Sequence, residues 1–203
     1  MNWKVLTPPN VFTIVSSFCL GIFLNCAAFV HYENPNLKNT KTPELEEKKS
    51  VLIKYFGDYY ENGKFSKHPQ HIPILNERMV DIVKESNLFK NVVTKENEPY
   101  DYIIYVETNI NEKGSKVWPA LAGATFLVFP LIMDQDFSVK VSLLDSKRKL
   151  LAVNEERMNM DVFVGWVIIP ISPFFFTPVV QNNAYRNVIY SSLSQWKSKG
   201  IIK

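Results

Sequence analysis

The stretch Tyr100-Asp101-Tyr102-Ile103-Ile104-Tyr105-Val106-Glu107-Thr108-Asn109-Ile110-Asn111 decides the fold class. Tyr102, Ile104, Val106 and Ile110 share one parity, and a two-residue period turns them to one side of an extended chain. The stretch is therefore a strand with one face against a core. Downstream, Phe137, Val139, Val141 and Leu143 repeat that period, with Ser138, Lys140 and Ser142 between them. Such alternation belongs to an antiparallel sheet with one solvated face. The charged turn Asp145-Ser146-Lys147-Arg148-Lys149 leads into a further strand over 150–161. Upstream, Val51 to Tyr59 is rich in β-branched and aromatic residues and reads as another strand, and Leu88 to Val93 as a short one.

Two helices flank these strands. Pro73 opens the first, where a missing N–H costs nothing, and Leu75, Met79, Ile82 and Val83 give it one apolar stripe to about Ser86. The second runs from Asn183 to Lys199, with Tyr185, Val188, Ile189, Leu193 and Trp196 as its stripe and Gly200 as its stop. The order β-α-β-β-β-β-α predicts an α+β two-layer sandwich. Its mainly antiparallel sheet has about 4–5 strands, with two helices on one face.

The amino terminus carries a different signal. Lys4 precedes an apolar run from Val11 to Asn25, and Cys26 stands at its exit; Cys19, inside the run, is the only other cysteine of the 203 residues. One early charge, an apolar middle and a small or polar exit read as an export signal over 1–25. A cysteine at that exit is what acylation by a diacylglyceryl group requires. Two other readings stay open: an uncleaved membrane helix over 11–30, since ~20 apolar residues span a bilayer, and ordinary cleavage after Ala28. An exported chain with no second cysteine leaves Cys26 without a disulfide partner, and acylation accounts for its presence. From Ala27 to about Ser50 the chain is polar, with turn composition at Tyr32-Glu33-Asn34-Pro35-Asn36 and Thr40-Lys41-Thr42-Pro43. It reads as a flexible tether over 26–49, before a single domain at 50–203.

Ile22-Phe23-Leu24-Asn25, just before Cys26, resembles the relaxed lipobox of spirochaete lipoproteins, in which Asn is accepted before the cysteine. The resemblance implies a lipid-modified Cys26. Ala27 and Ala28, with no sorting Asp after the cysteine, then imply the outer membrane of a two-membrane envelope. A second resemblance covers roughly residues 75–145. A helix leading to Leu88-Phe89-Lys90-Asn91-Val92, then Asp101-Tyr102 opening a long strand, is similar to a pattern in exported bacterial lipoproteins. The amino-terminal domain of the Tol-system propeller protein and the curli-secretion lipoprotein share it. It implies fold class and brings no catalytic residue.

Two uncharged stretches interrupt the sheet, Trp118 to Met133 and Val162 to Val180. The first would reach only ~24 Å as a helix against ~30 Å of hydrocarbon. The second carries Pro170, Pro173 and Pro178, which break a helix interior. Antiparallel strand order sends both to one sheet edge and the Lys147-Arg148-Lys149 turn to the opposite one. Either they fold back over the sheet, or part of them stays exposed and touches lipid or a partner through Trp118, Phe126, Phe129, Trp166, Phe174, Phe175 and Phe176. Membrane crossing by these stretches is a third possibility.

Catalytic and ligand-binding patterns are missing from the sequence. His68 and His71 lack further ligands, so no metal is expected. Glu155-Glu156 and Asp134-Gln135-Asp136 have the composition of solvated edges and turns. Ser191-Ser192 has no histidine or lysine at useful spacing, and Gly114 and Gly123 are isolated, so no cofactor-binding loop is expected. With 23 Lys+Arg against 20 Asp+Glu, a nucleic-acid role driven by charge is not expected either. The expected molecule is a non-enzymatic, lipid-anchored envelope protein that binds or scaffolds. Its expected partners are membrane lipid through acylated Cys26 and an envelope protein or a second copy. The alternatives are a subunit of an oligomeric envelope assembly or transport machine, and a bitopic protein that keeps helix 11–30.

Overall fold

The computed structural model describes residues 26–40, 43–44, 48–66, 72–115 and 117–202. The proposed signal peptide with Cys19 and Ile22–Asn25, part of the tether, and both His68 and His71 lie outside the described residues.

The alternating strands form a single sheet. Its strands are β1 (Cys26–Tyr32), β2 (Ser50–Glu61), β3 (Lys64–Ser66), β4 (Asn91–Val93), β5 (Tyr102–Lys113), β6 (Leu131–Asp145) and β7 (Leu150–Val164). Their order across the sheet is β1-β7-β6-β5-β2-β3, with β4 also paired to β2. Helices α1 (Ile72–Glu85), α2 (Val117–Ala124), α3 (Ser172–Phe175) and α4 (Thr177–Ser198) complete the domain, with short 3-10 turns at Pro35–Asn39 and Trp166–Ile168. The α+β two-layer architecture is the expected one. Among the described residues the strands number seven rather than four or five, and the helices four.

The core lies between the sheet and the pair α1 and α4. Val51, Ile53 and Tyr55 of β2, Ile104 and Val106 of β5, the alternate residues Phe137 to Leu143 of β6, and Met158, Met160 and Val162 of β7 face this layer and are buried. Met79, Ile82 and Val83 of α1 and Tyr185, Val188, Ile189, Leu193 and Trp196 of α4 pack onto them, as 3.6-residue spacing requires. The opposite face holds a small buried cluster of Leu52, Val93 and Ile103 beside the exposed Phe56, whose ring meets Tyr105.

The differences from expectation have local causes. Cys26 to Tyr32, read as the start of a tether, is an edge strand antiparallel to β7, from Cys26 opposite Val164 to Tyr32 opposite Met158. The 3-10 turn after it sinks Leu37 completely. Ala27 and Ala28 are also buried, because small side chains let the edge strand lie close under the α3–α4 segment. A helix reaching through Val30 is excluded, since residues 26–30 are extended and paired; residues 11–25 lie outside the described ones. The β2–β5 pairing is parallel, joined by a crossover through α1, and β2–β4 is parallel as well. Strand β6 begins at Leu131, inside the first apolar stretch. Helix α4 begins at Thr177 because Pro178 occupies its first turn, where proline has no bond to lose.

Candidate functional site

Register fixes which parts of the chain share an end of the sheet. Cys26 lies opposite Val164, Val164 opposite Leu131, and Asp134 opposite Lys113. The start of β1, the start of β6 and the ends of β5 and β7 therefore form one row. Helix α2, the turn at Trp166–Ile168, helix α3 and the start of α4 all leave from it. The turn at 146–149 lies at the opposite end, where Asp145 pairs with Tyr102.

The two apolar stretches form one tip. Trp166 donates its backbone N–H to Leu127 O (3.2 Å) and its indole Nε1–H to Phe126 O (2.8 Å). Phe29 of β1 stacks its ring on Phe175 at 4.7 Å and meets Phe163 edge-on at 5.8 Å. Ala27 bridges to Phe176, and Cys26 Sγ lies 2.8 Å from Thr177 Oγ1. Only a few side chains of the tip point inward, chiefly Ala122, Ile168 and Ser172.

Much of the rest of the tip is exposed. Phe126 is 84% accessible and Phe174 80%. Trp118, Phe129 and Phe175 are exposed as well, whereas Trp166 and Phe176 are half-buried by the contacts just described. Val117, Val128, Val167 and Ile171 enlarge the surface. Sequence reading passed over these four because aliphatic residues inside apolar stretches look like core. Residues 117–133 and 162–185 contain no charged side chain. An uncharged, largely apolar projection of this kind marks an interaction surface.

Backbone geometry adds a second signal. After α2, Leu127 N–H reaches back to Ala122 O (2.7 Å) and Phe126 N–H to Gly123 O (3.2 Å). These two bonds define a Schellman stop, whose left-handed position usually holds glycine. Here Phe126 occupies it at φ 49°, followed by Leu127 at φ 64°. Helix α4 ends in the same motif with Gly200 at φ 68°. The bulky residue in a strained position thus carries the most exposed aromatic ring of the described residues.

The remaining candidates are engaged in structural contacts. Glu155 and Glu156 point to opposite faces. Glu155 accepts from Ser138 and Arg157, and Glu156 from the amides of Asn34 and Asn154. Asn159 Nδ2 donates to Asp134 (2.6 Å) and Asp136 (3.2 Å), and the Lys113 ammonium beside Asp136 holds its carboxyl below the usual carboxylate range. Buried Ser192 donates to Val188 O and accepts from Asn154. In the basic turn Arg148 pairs with Glu96, which Lys54 also contacts. Among the described residues no group of three or more His, Cys, Asp or Glu side chains is arranged to hold a metal ion, and no helix is long and apolar enough to cross a membrane.

No family model and no curated protein matches the chain. Among solved structures it is similar to the PelC dodecamer from Paraburkholderia phytofirmans, at 11% identity and a TM-score of 0.35, over 82% of this chain and 96% of that one. A likeness of that size decides nothing about fold or function.

Proposed function

We propose that this chain is a lipid-anchored, non-catalytic protein of the cell envelope that rests end-on against a bilayer, with acylated Cys26 and the apolar tip on the same side. One observation carries the reading: Cys26 opens β1 in the row from which both apolar stretches depart, beside Thr177 and the Phe174–Phe176 segment. Acyl chains on that sulfur would leave the protein next to side chains already suited to lipid. The anchor and the tip would then act together, each buried CH₂ contributing ~0.8 kcal/mol and each buried large apolar side chain ~1.5–3 kcal/mol. The half-buried Trp166 and exposed Trp118 fit a membrane interface, where an indole keeps its N–H in polar surroundings. The absence of charge between 117 and 133 and between 162 and 185 favours contact with the interior of a leaflet over attraction to anionic headgroups.

The test is the intact mass of the native protein together with fractionation of Cys26→Ser. Acyl mass on residue 26 and release of the variant from membranes are the expected results. An unmodified thiol, or full membrane retention of the variant, would overturn the anchor.

A further inference from the structure

A cavity of about 290 Å³ opens between the amino-terminal halves of α1 and α4, above β2, β5 and β6. Gly57 lines it and leaves room for the Tyr55 ring. In an unbroken twelve-residue strand that pairs Gly57 with Thr108, a Cβ at position 57 would stand 2.7 Å from Tyr55 Oη. With no side chain there, the Tyr55 ring lies along the strand. Tyr55 Oη meets the hydroxyls of Thr108 and Tyr185 in one buried group. Thr108 and Tyr185 are almost fully buried and stand outside the cavity wall, so Tyr55 is the member of this group that lines it.

Arg78 completes the polar side. It donates from Nη1 to Gln181 Oε1 at 3.1 Å and forms no ion pair among the described residues. The nearby carboxylates do not neutralise it: Glu112 accepts from Gln135 Nε2 (3.2 Å) and from Tyr59, and Asp58 lies exposed at the rim. Burial keeps Tyr55 and Tyr185 protonated as phenols, hence able to donate. The Arg78 guanidinium, the Tyr55 phenol and the Gln135 and Gln181 amides supply donors, while Ile74, Leu75 and Ile110 supply an apolar wall.

We propose that this cavity binds a small oxyanion with an apolar body, a medium-chain carboxylate or alkyl phosphate. Its head lies on Arg78 and Tyr55, and its chain along Ile74, Leu75 and Ile110. The site is independent of the membrane-facing tip and does not require acylation of Cys26. The volume suits about ten heavy atoms, for which a dissociation constant on the order of 1 mM or tighter is reasonable.

The experiment titrates the full chain with octanoate carrying carbon-13 in its carboxyl group, and in parallel with octyl phosphate, octanol, octylamine and glucose. A saturable carboxyl shift for octanoate, or saturable binding of octyl phosphate, with octanol and octylamine at least tenfold weaker, is the expected result; which anion prevails separates carboxylate from phosphate sources. Arg78→Gln should weaken the anion about tenfold, as loss of a charged hydrogen bond does. Should that variant fail to fold, Tyr55→Phe, which removes one oxygen from the cavity wall, should weaken it several-fold. Equal binding of octanol, preference for glucose, no saturable binding, or unchanged affinity in a folded Arg78→Gln each overturns the proposal.

Discussion

Gly165 and Leu127 touch so closely that a Cβ added to Gly165 would stand 2.9 Å from the Leu127 carbonyl oxygen and 3.0 Å from Pro130 Cα. Both obstacles are backbone, so neither can swing away. The contact joins the two apolar stretches beside the Trp166 hydrogen bonds. Gly165→Ala should therefore cost ~1–3 kcal/mol, as overpacking does, and should loosen the tip. Gly123→Ala, in α2 with nothing within 4 Å of its added Cβ, should be neutral or stabilising by ~0.5–1 kcal/mol. Urea unfolding of the pair checks this contrast.

Phe126 and Gly200 sit at equivalent positions of two helix stops, at φ 49° and φ 68°. A left-handed conformation costs a side-chain-bearing residue ~1–2 kcal/mol. Phe126→Gly removes that cost and gives back part of it through a freer unfolded chain, for a net gain of ~0.5–1 kcal/mol. The same change removes an exposed ring from the proposed membrane contact, so binding to phosphatidylcholine vesicles should fall about tenfold, in line with burial of one large apolar side chain. Stability up and vesicle binding down is the expected pair, read by denaturation and flotation in a Cys26→Ser background. A drop in stability would show that Phe126 is held by packing instead.

Legibility in the sequence followed the strength of local periodicity. Strands β5 to β7 and the stripes of α1 and α4 were readable because each repeats over several turns or pairs of residues. β1 was not. Cys26-Ala27-Ala28-Phe29-Val30-His31-Tyr32 follows an apolar run without a break, and two adjacent alanines blur its alternation. The start of β6 was hidden likewise, since Leu131-Ile132-Met133 continues an apolar stretch. The parallel pairing of β2 with β5 depends on where a crossover lands, which no window of sequence encodes. Grouping of the two apolar stretches at one end followed from strand order alone. The proximity of Cys26 to them did not, because it depends on β1 joining the sheet. The cavity at Arg78 is assembled from five separated elements and left no local pattern at all.

Alkaline titration provides a prediction with a definite sign. Burial raises the phenols of Tyr32, Tyr55 and Tyr185, and burial together with Glu112 raises Tyr59. A phenol whose pKa is higher folded than unfolded contributes stability that is fully present below its unfolded value of 10.0. That contribution is lost as pH climbs toward the folded value. Folding stability should be flat across neutral pH on this account and decline above about pH 10. Absorbance of phenolate should then show several of the nine tyrosines ionising only together with unfolding. Tyr59→Phe should reduce the alkaline loss, because it removes the phenol beside Glu112.

Leu37 tests the boundary between tether and domain. Its relative exposure is 0%, in a segment whose composition is otherwise that of a linker. Four contacts hold the segment in place. The Asn34 side chain accepts from Asn36 N–H (3.2 Å) and its amide points to Glu156, Glu33 N–H reaches Arg157 O (3.2 Å), and Tyr32 Oη accepts from Asn187 Nδ2 of α4 (3.0 Å). If residues 26–40 are part of the fold, Leu37→Ala should cost ~2–5 kcal/mol through lost burial and the cavity left behind. Asn34→Ala should cost ~0.5–2 kcal/mol through the lost cap. A true tether would register neither change. Denaturant midpoints of the two variants decide the matter, and a Leu37→Ala protein as stable as its parent would detach β1 and the turn after it from the domain.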